Sequence, residues 1–175
     1  MVHRVGFKTE RTRGSPVAQA GVHASRSSDE ILLLDVTATE QGREPDYQLI
    51  ADVVGNTFLP VAYGGGVRTV EQARRIIGEC GADKVVLGVG AHRDLITALA
   101  RTFGAQAVVA SVDVGPDPFV RTPIETALTY QACGAGEILL QSIDRDGTLS
   151  GYDLGLIGAV SKVVSVPFIA SGGCG

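Results

Sequence analysis

Asp113 closes the apolar run AVVASVD, and its carboxylate is the leading candidate for chemistry in this sequence of 175 residues. A carboxylate at the end of a buried strand serves as a general acid or base when burial tunes its pKa. Asp35 ends a second such run, and Asp144 and Asp146 follow a third in SIDRDGT. Asp146 precedes Gly147 and reads as a turn residue. Three glycine motifs also follow apolar runs: Gly64-Gly65-Gly66, Gly88-Val89-Gly90 and Ser171-Gly172-Gly173. Glycine turns let backbone N–H groups approach a phosphate, and the next helix N-terminus adds a positive dipole end. A single such motif is mostly a tight turn. Two glycine pairs at repeat-related positions point to a ligand with two phosphates. Gly88-Val89-Gly90 lacks the third glycine and the following acid of a dinucleotide fingerprint. A third set opens its runs: Glu30 before ILLL, Lys84 before VVLG and Glu137 before ILLQ. These residues form either ordinary surface charge or an ionic ring that neutralises itself. Their common register on alternate strands favours the ring, which could plug or gate a central passage.

The elements that must carry these residues alternate strand and helix. Apolar runs of strand length cover 31–36, 59–64, 83–89, 105–114, 137–143 and 166–172. They lack polar alternation, as strands covered on both faces do. Helical spacing fits Tyr47–Val54, Val70–Ile77 after Thr69, Leu95–Ala100, Ile124–Leu128 and Leu154–Val160. Residues 30–66 slide onto 137–173 without a gap, at an offset of 107 and with eleven of 37 positions identical. Two copies of a four-strand half predict an α/β fold, a (β/α)8 TIM barrel with half-barrel duplication. The runs are then strands two to seven of a single, partial barrel domain over 1–175. VHRVGFK is the only candidate for strand one and is weakly strand-like, and the eighth unit is absent. Glu30, Lys84 and Glu137 then share one layer at the barrel bottom, and the glycine motifs and Asp113 share the mouth.

Composition removes other classes. With 45% hydrophobic and 19% charged residues and a net charge of −4, the chain is neither disordered nor a general nucleic-acid binder. No apolar run reaches the roughly 20 residues of a membrane span, and the first residues hold no apolar signal-peptide core. Cys80, Cys133 and Cys174 show no CxxC spacing and read as reduced thiols of a cytoplasmic protein, with no metal framework and no cofactor expected. Residues 1–26 carry a charge of +4 and the rest −8, so the N-terminal segment is a solvated arm or a loop that helps hold an anion.

GAGEILLQSIDRDGTLSGYD (134–153), ADKVVLG (82–88), GGGVRTVEQA (64–73), RTFGAQAVVASVDV (101–114) and VPFIASGG (166–173) resemble the cyclase subunit of imidazole glycerol phosphate synthase. The resemblance spans nearly the whole chain, and SIDRDGT-x-GYD is its most specific part. It implies a lyase subunit of a glutamine amidotransferase complex in histidine biosynthesis. Such a subunit takes ammonia from a glutaminase partner at the barrel bottom and delivers it through the barrel to a bis-phosphate substrate. Asp113 matches the second catalytic aspartate of that family. Gly65, Gly66, Gly88, Asp144, Thr148, Ser171, Gly172 and Gly173 form the candidate phosphate and substrate set. Glu30, Lys84 and Glu137 match the ammonia gate, and Asp83 falls on the glutaminase docking face. VGFKTERTRGSPV, TEQGREPDYQLI and FLPVAYGGG look closer to a paralogous branch encoded with surface-polysaccharide (lipopolysaccharide) genes, which implies passing ammonia to a sugar-modifying amidotransferase or synthetase. The sequence departs from the family pattern at several points. No residue matches the first catalytic aspartate, and the gate arginine would lie before Met1. Gly88-Val89 stands for Asn-Thr, Gln141 for Thr, and the loop GPDPFVRTP is about half the family length. These departures predict little or no cyclase turnover from the chain as it stands.

Overall fold

A computed structural model describes residues 2–3, 11–12, 14–88, 93–115 and 122–174. Two short strands, β1 (Val2–His3) and β2 (Arg11–Thr12), pair antiparallel with each other. Six further strands follow: β3 (Ile31–Leu34), β4 (Val61–Gly64), β5 (Lys84–Leu87), β6 (Val108–Val114), β7 (Glu137–Ser142) and β8 (Phe168–Ser171). They form one sheet in strict chain order, each parallel to the next. A doubly wound sheet would reverse its order at a switch point, so this order is that of a partial (β/α)8 barrel. Of the expected strand one, Val2 and His3 pair with Thr12 and Arg11 instead of joining this sheet, and residues 4–8 lie outside the described residues.

Helices α1 (Pro16–Ala24), α2 (Tyr47–Gly55), α3 (Val70–Arg74), α4 (Arg93–Phe103), α5 (Pro123–Ala132) and α6 (Leu154–Ser161) alternate with the strands. Repeat-related caps start two of them. Asp46 and Asp153 sit at nearly the same backbone angles, and each accepts a hydrogen bond from the N–H three residues on, at Leu49 and Leu156. Thr69 and Gln72 form a reciprocal capping box on α3. The helical pattern over 70–77 divides, because Arg75–Glu79 widens into a π-helical turn, with Cys80 N–H reaching Arg75 O. Part of the segment expected as a basic arm is α1, whose Ala20 and Val17 pack on Val53, Val61 and Leu49.

Strand period divides the core into two layers. Tyr63, Val85, Leu87, Val108, Ala110, Val112, Ile138 and Leu140 face the helices. Ala62, Val86, Val109 and Leu139 pack with Leu32, Leu34 and Ile169 on the other face. The second layer is the barrel interior.

Candidate active site

Glu30, one residue before β3, and Lys84 and Glu137, which open β5 and β7, are brought together. Lys84 Nζ lies 2.8 Å from a carboxylate oxygen of Glu30 and 2.8 Å from one of Glu137. In a flat sheet β3 and β7 would stand about 19 Å apart, beyond the reach of two glutamates and one ammonium, so the contact requires a curled sheet. The three side chains are 15–25% exposed. Burial opposes the charge on Lys84, yet hydrogen bonds to Glu137 and Glu30 outweigh it and raise the lysine pKa. The second oxygen of Glu30, Oε1, is buried without a hydrogen-bond partner among the described residues.

The interior changes character along the strands. The ionic cluster lies at their N-terminal ends. Leu32, Val86, Val109 and Leu139 form an apolar middle. At the C-terminal ends a cavity of about 300 Å³ opens between β3 and β7. Asp113, Ser111, Gln141, Gly65, Gly66 and Gly88 line it. The Ser111 hydroxyl donates to Asp113 Oδ1 at 2.5 Å. Burial raises the Asp113 pKa, and the Ser111 hydrogen bond only partly offsets this. Gln141 pairs in register with Asp113 on one side and Ser171 on the other.

Other candidates lie apart from this cavity. Asp144 is exposed in a single 3-10 turn over Ile143–Arg145. The Thr148 hydroxyl is engaged with Arg145 O at 2.7 Å and with Ser150 Oγ at 2.7 Å. Ser171 ends β8, and Gly172 and Gly173 follow it without reaching the cavity wall. Val89 and Gly90 of the expected third glycine turn lie outside the described residues.

Close backbone approach explains both glycine pairs. A Cβ on Gly65 would stand 2.5 Å from Asp35 O, and one on Gly172 would meet Ser142 O. A Cβ on Gly66 would stand 3.2 Å from Ala38 Cβ, and one on Gly173 3.2 Å from Arg145 Cβ. These partners are again related by the repeat offset. Gly65 and Gly172 have φ of +129° and +97°, where a side chain is strained.

Asp83 sits at the opposite end, where its carboxylate accepts Val61 N–H at 2.8 Å and its own N–H donates to Val61 O. It is exposed but pins the start of β4.

The pair Asp35–Arg43 was not foreseen. Arg43 makes two contacts of 2.8 Å to the two carboxylate oxygens of Asp35, and also reaches the Thr37 hydroxyl. Asp35 Oδ1 accepts the N–H groups of Thr37 and Ala38 as well. Burial pushes the Asp35 pKa up, but the bonds from Arg43 and Thr37 more than reverse this and lower it. Asp35 therefore organises the β3–α2 loop and is a poor proton carrier. Among the described residues, no group of three or more His, Cys, Asp or Glu is placed to hold a metal ion. No described helix is long and apolar enough to cross a membrane.

The model of the histidine biosynthesis protein family matches residues 1–175. The chain belongs to that family. Within the histidine biosynthesis family it is 40% identical over 190 residues to the imidazole glycerol phosphate synthase subunit HisF of Exiguobacterium sibiricum. It is 38% identical over 191 residues to a Pseudomonas aeruginosa protein provisionally named imidazole glycerol phosphate synthase subunit hisF2. Each comparison covers the whole of this chain and 76% of the relative.

Proposed function

We propose that the chain is a HisF-like cyclase subunit that uses glutaminase-derived ammonia on a bis-phosphate substrate. One observation carries this reading. The Lys84 cluster and Asp113 lie at opposite ends of the same interior face, with an apolar middle between them. A small neutral molecule crosses such a layer far more readily than an ion, because the layer offers no compensation for charge. The cluster would admit ammonia when Lys84 swings away from one glutamate. Asp113, with its raised pKa, would move a proton during ring closure. The Gly65–Gly66 turn, on the cavity wall, would take one phosphate, and Gly172–Gly173, with Asp144 and Thr148 nearby, the other. The glutaminase would dock at the bottom face around Asp83.

Gln141 favours a second reading. Its buried amide stands in register with Asp113, where the family resemblance implies a smaller threonine. That change suits a subunit that passes ammonia to a partner amidating a surface-polysaccharide sugar, without closing a ring itself.

Turnover of the cyclase substrate with ammonium salts decides between them. Turnover is expected to be low, and whatever turnover is measured Asp113→Asn should lower by about 10²–10⁴-fold, with little change in KM. Turnover that Asp113→Asn leaves untouched removes Asp113 from the mechanism. No turnover, combined with ammonia transfer to a partner enzyme, selects the second reading.

A further inference from the structure

We propose that the Ser111 hydroxyl is a positioning group for Asp113, holding Oδ1 against β6 and leaving Oδ2 to face the cavity as the proton-transferring oxygen. The inference deepens the proposed function and rests on its reading of Asp113.

Strand geometry is the first support. Ser111 and Asp113 are two residues apart on β6 and therefore point to the same face. Both side chains are short, and the hydroxyl reaches Oδ1 at 2.5 Å without any help from a loop. Ser111 is 4% exposed, so its hydroxyl must find a partner within the protein. The Asp113 carboxylate is the only side-chain acceptor to which it is bonded among the described residues. Asp113 Oδ2 takes no hydrogen bond from any described residue. One oxygen is thus tied down, and among the described residues the other has no donor, which fits an oxygen that serves a ligand.

Chemistry is the second support. On the interior face Ser111 stands between Val109, which packs among apolar side chains, and Asp113, and a serine there gives up packing that Ala or Val would supply. A donor aimed at a carboxylate favours its ionised form, whereas burial favours the neutral one. The hydroxyl therefore sets how acidic a deeply placed carboxyl remains.

Among the described residues, the charged and titratable groups around Asp113 do not duplicate this contact. Tyr130 of α5 feels the Asp113 charge, and Arg93 of α4 acts on Tyr130. Asp35 and Glu40 lie across the cavity, the former held by Arg43. On β5, Lys84 lies at the far end of the interior, bound to Glu30 and Glu137. On β7 the neighbour is the uncharged Gln141.

The test follows the Asp113 carboxyl directly, by carbon-13 NMR titration of the protein with labelled aspartate, its signal assigned by its loss in Asp113→Asn. In Ser111→Ala the Asp113 midpoint should move to higher pH, and in Ser111→Thr, which keeps the hydroxyl, it should return toward the wild-type position. If Ser111→Ala melts more than about 10 °C lower, Ser111→Cys, a weaker donor of similar size, is titrated instead and should show the same upward move. An unmoved Asp113 midpoint in a folded variant without the hydroxyl overturns the proposal. Ammonia-dependent turnover is measured in parallel. There the acid limb of the pH profile should move with the midpoint, and kcat on that limb should fall by roughly 2- to 12-fold, the worth of one hydrogen bond. Absent turnover in the wild type, combined with ammonia transfer to a partner enzyme, counts against the cyclase reading, while the titration still decides the role of Ser111.

Discussion

Glu30 and Glu137 stand at repeat-related positions, and each places one carboxylate oxygen 2.8 Å from the same Lys84 ammonium. The contact joins three alternate strands at one end of the interior. It also leaves one carboxylate in excess over the ammonium it shares.

Removing that ammonium should be costly. Lys84→Met leaves two carboxylates facing each other beneath the apolar layer. Breaking a fully buried set costs about 3–5 kcal/mol, and these side chains keep partial water access, so about 1–3 kcal/mol is expected. Glu137→Gln added to Lys84→Met should recover part of the loss. The Lys84 pKa is raised above its usual 10.5, so its contribution is complete below that pH and disappears as pH rises through the folded value. Urea unfolding of wild type and Lys84→Met between pH 8 and about 11.5 checks both points. A difference below about 0.5 kcal/mol at pH 8 would make Lys84 an ordinary surface charge.

The glycine turns need a different probe from simple substitution. Gly65→Ala places a methyl against Asp35 O at an unfavourable φ and should cost at least about 2 kcal/mol, whether or not phosphate binds there. Gly88 also lines the cavity, but a Cβ there meets nothing within 4 Å. Gly88→Ala should therefore keep stability within about 1 kcal/mol. Thermal protection by a bis-phosphate ligand, measured in wild type and Gly88→Ala, then reports the site itself. Equal protection in both would place the ligand away from this end of β5.

Asp113 should cost the fold stability at neutral pH. Its pKa is raised by burial, so the ionised form is penalised in the folded state, and the penalty is full only above the folded pKa. Asp113→Asn keeps an oxygen for the Ser111 hydroxyl and removes the charge. The variant should melt up to a few °C higher at pH 7, and the gain should vanish below about pH 3.8, where both states are protonated. A lower melting temperature at pH 7 would mean that the ionised carboxylate is a structural tie, which argues against its catalytic reading.

The opposite sign applies at Asp35. Arg43 and Thr37 hold its pKa below the usual 3.8, so its contribution is present above that value and lost as pH falls through the lower folded one. Arg43→Ala should shift the acid limb of stability to higher pH, visible in a melting series from pH 2 to 6. An unmoved limb would show that the Asp35–Thr37 turn stands without the arginine.

The strands could be read from the sequence because each is an apolar run without polar alternation, and β4 to β7 are buried on both faces, a pattern that few other elements share. Their ends were less legible. The run over 31–36 stops at Leu34 because Asp35 turns its own carboxylate onto the next N–H groups. Helix α1 carries only a start signal, Ser15 before Pro16; Ser15 makes no side-chain cap, PVAQAGVHA holds a glycine, and packing of Ala20 on Val53 and Val61 holds it. The lysine cluster was legible because strand starts put all three side chains in one register. Asp35–Arg43 was not, because the two lie eight residues apart in a loop with no period to align them. Ser111 was hidden within an apolar run, where only geometry shows that its hydroxyl faces Asp113.

The two-residue beat of β6 has a consequence for how this chain can change over generations. Val109, Ser111 and Asp113 share one face, and Val108, Ala110 and Val112 the other. Deleting a single residue between Val109 and Asp113 would turn the carboxylate outward among helices and swing a valine into the cavity. Substitutions can accumulate on either face one at a time, but the length of the strand cannot drift by one. Gains and losses of residues are therefore confined to the connecting loops, and the strand serves as a ruler that fixes the distance from the lysine layer to the carboxylate.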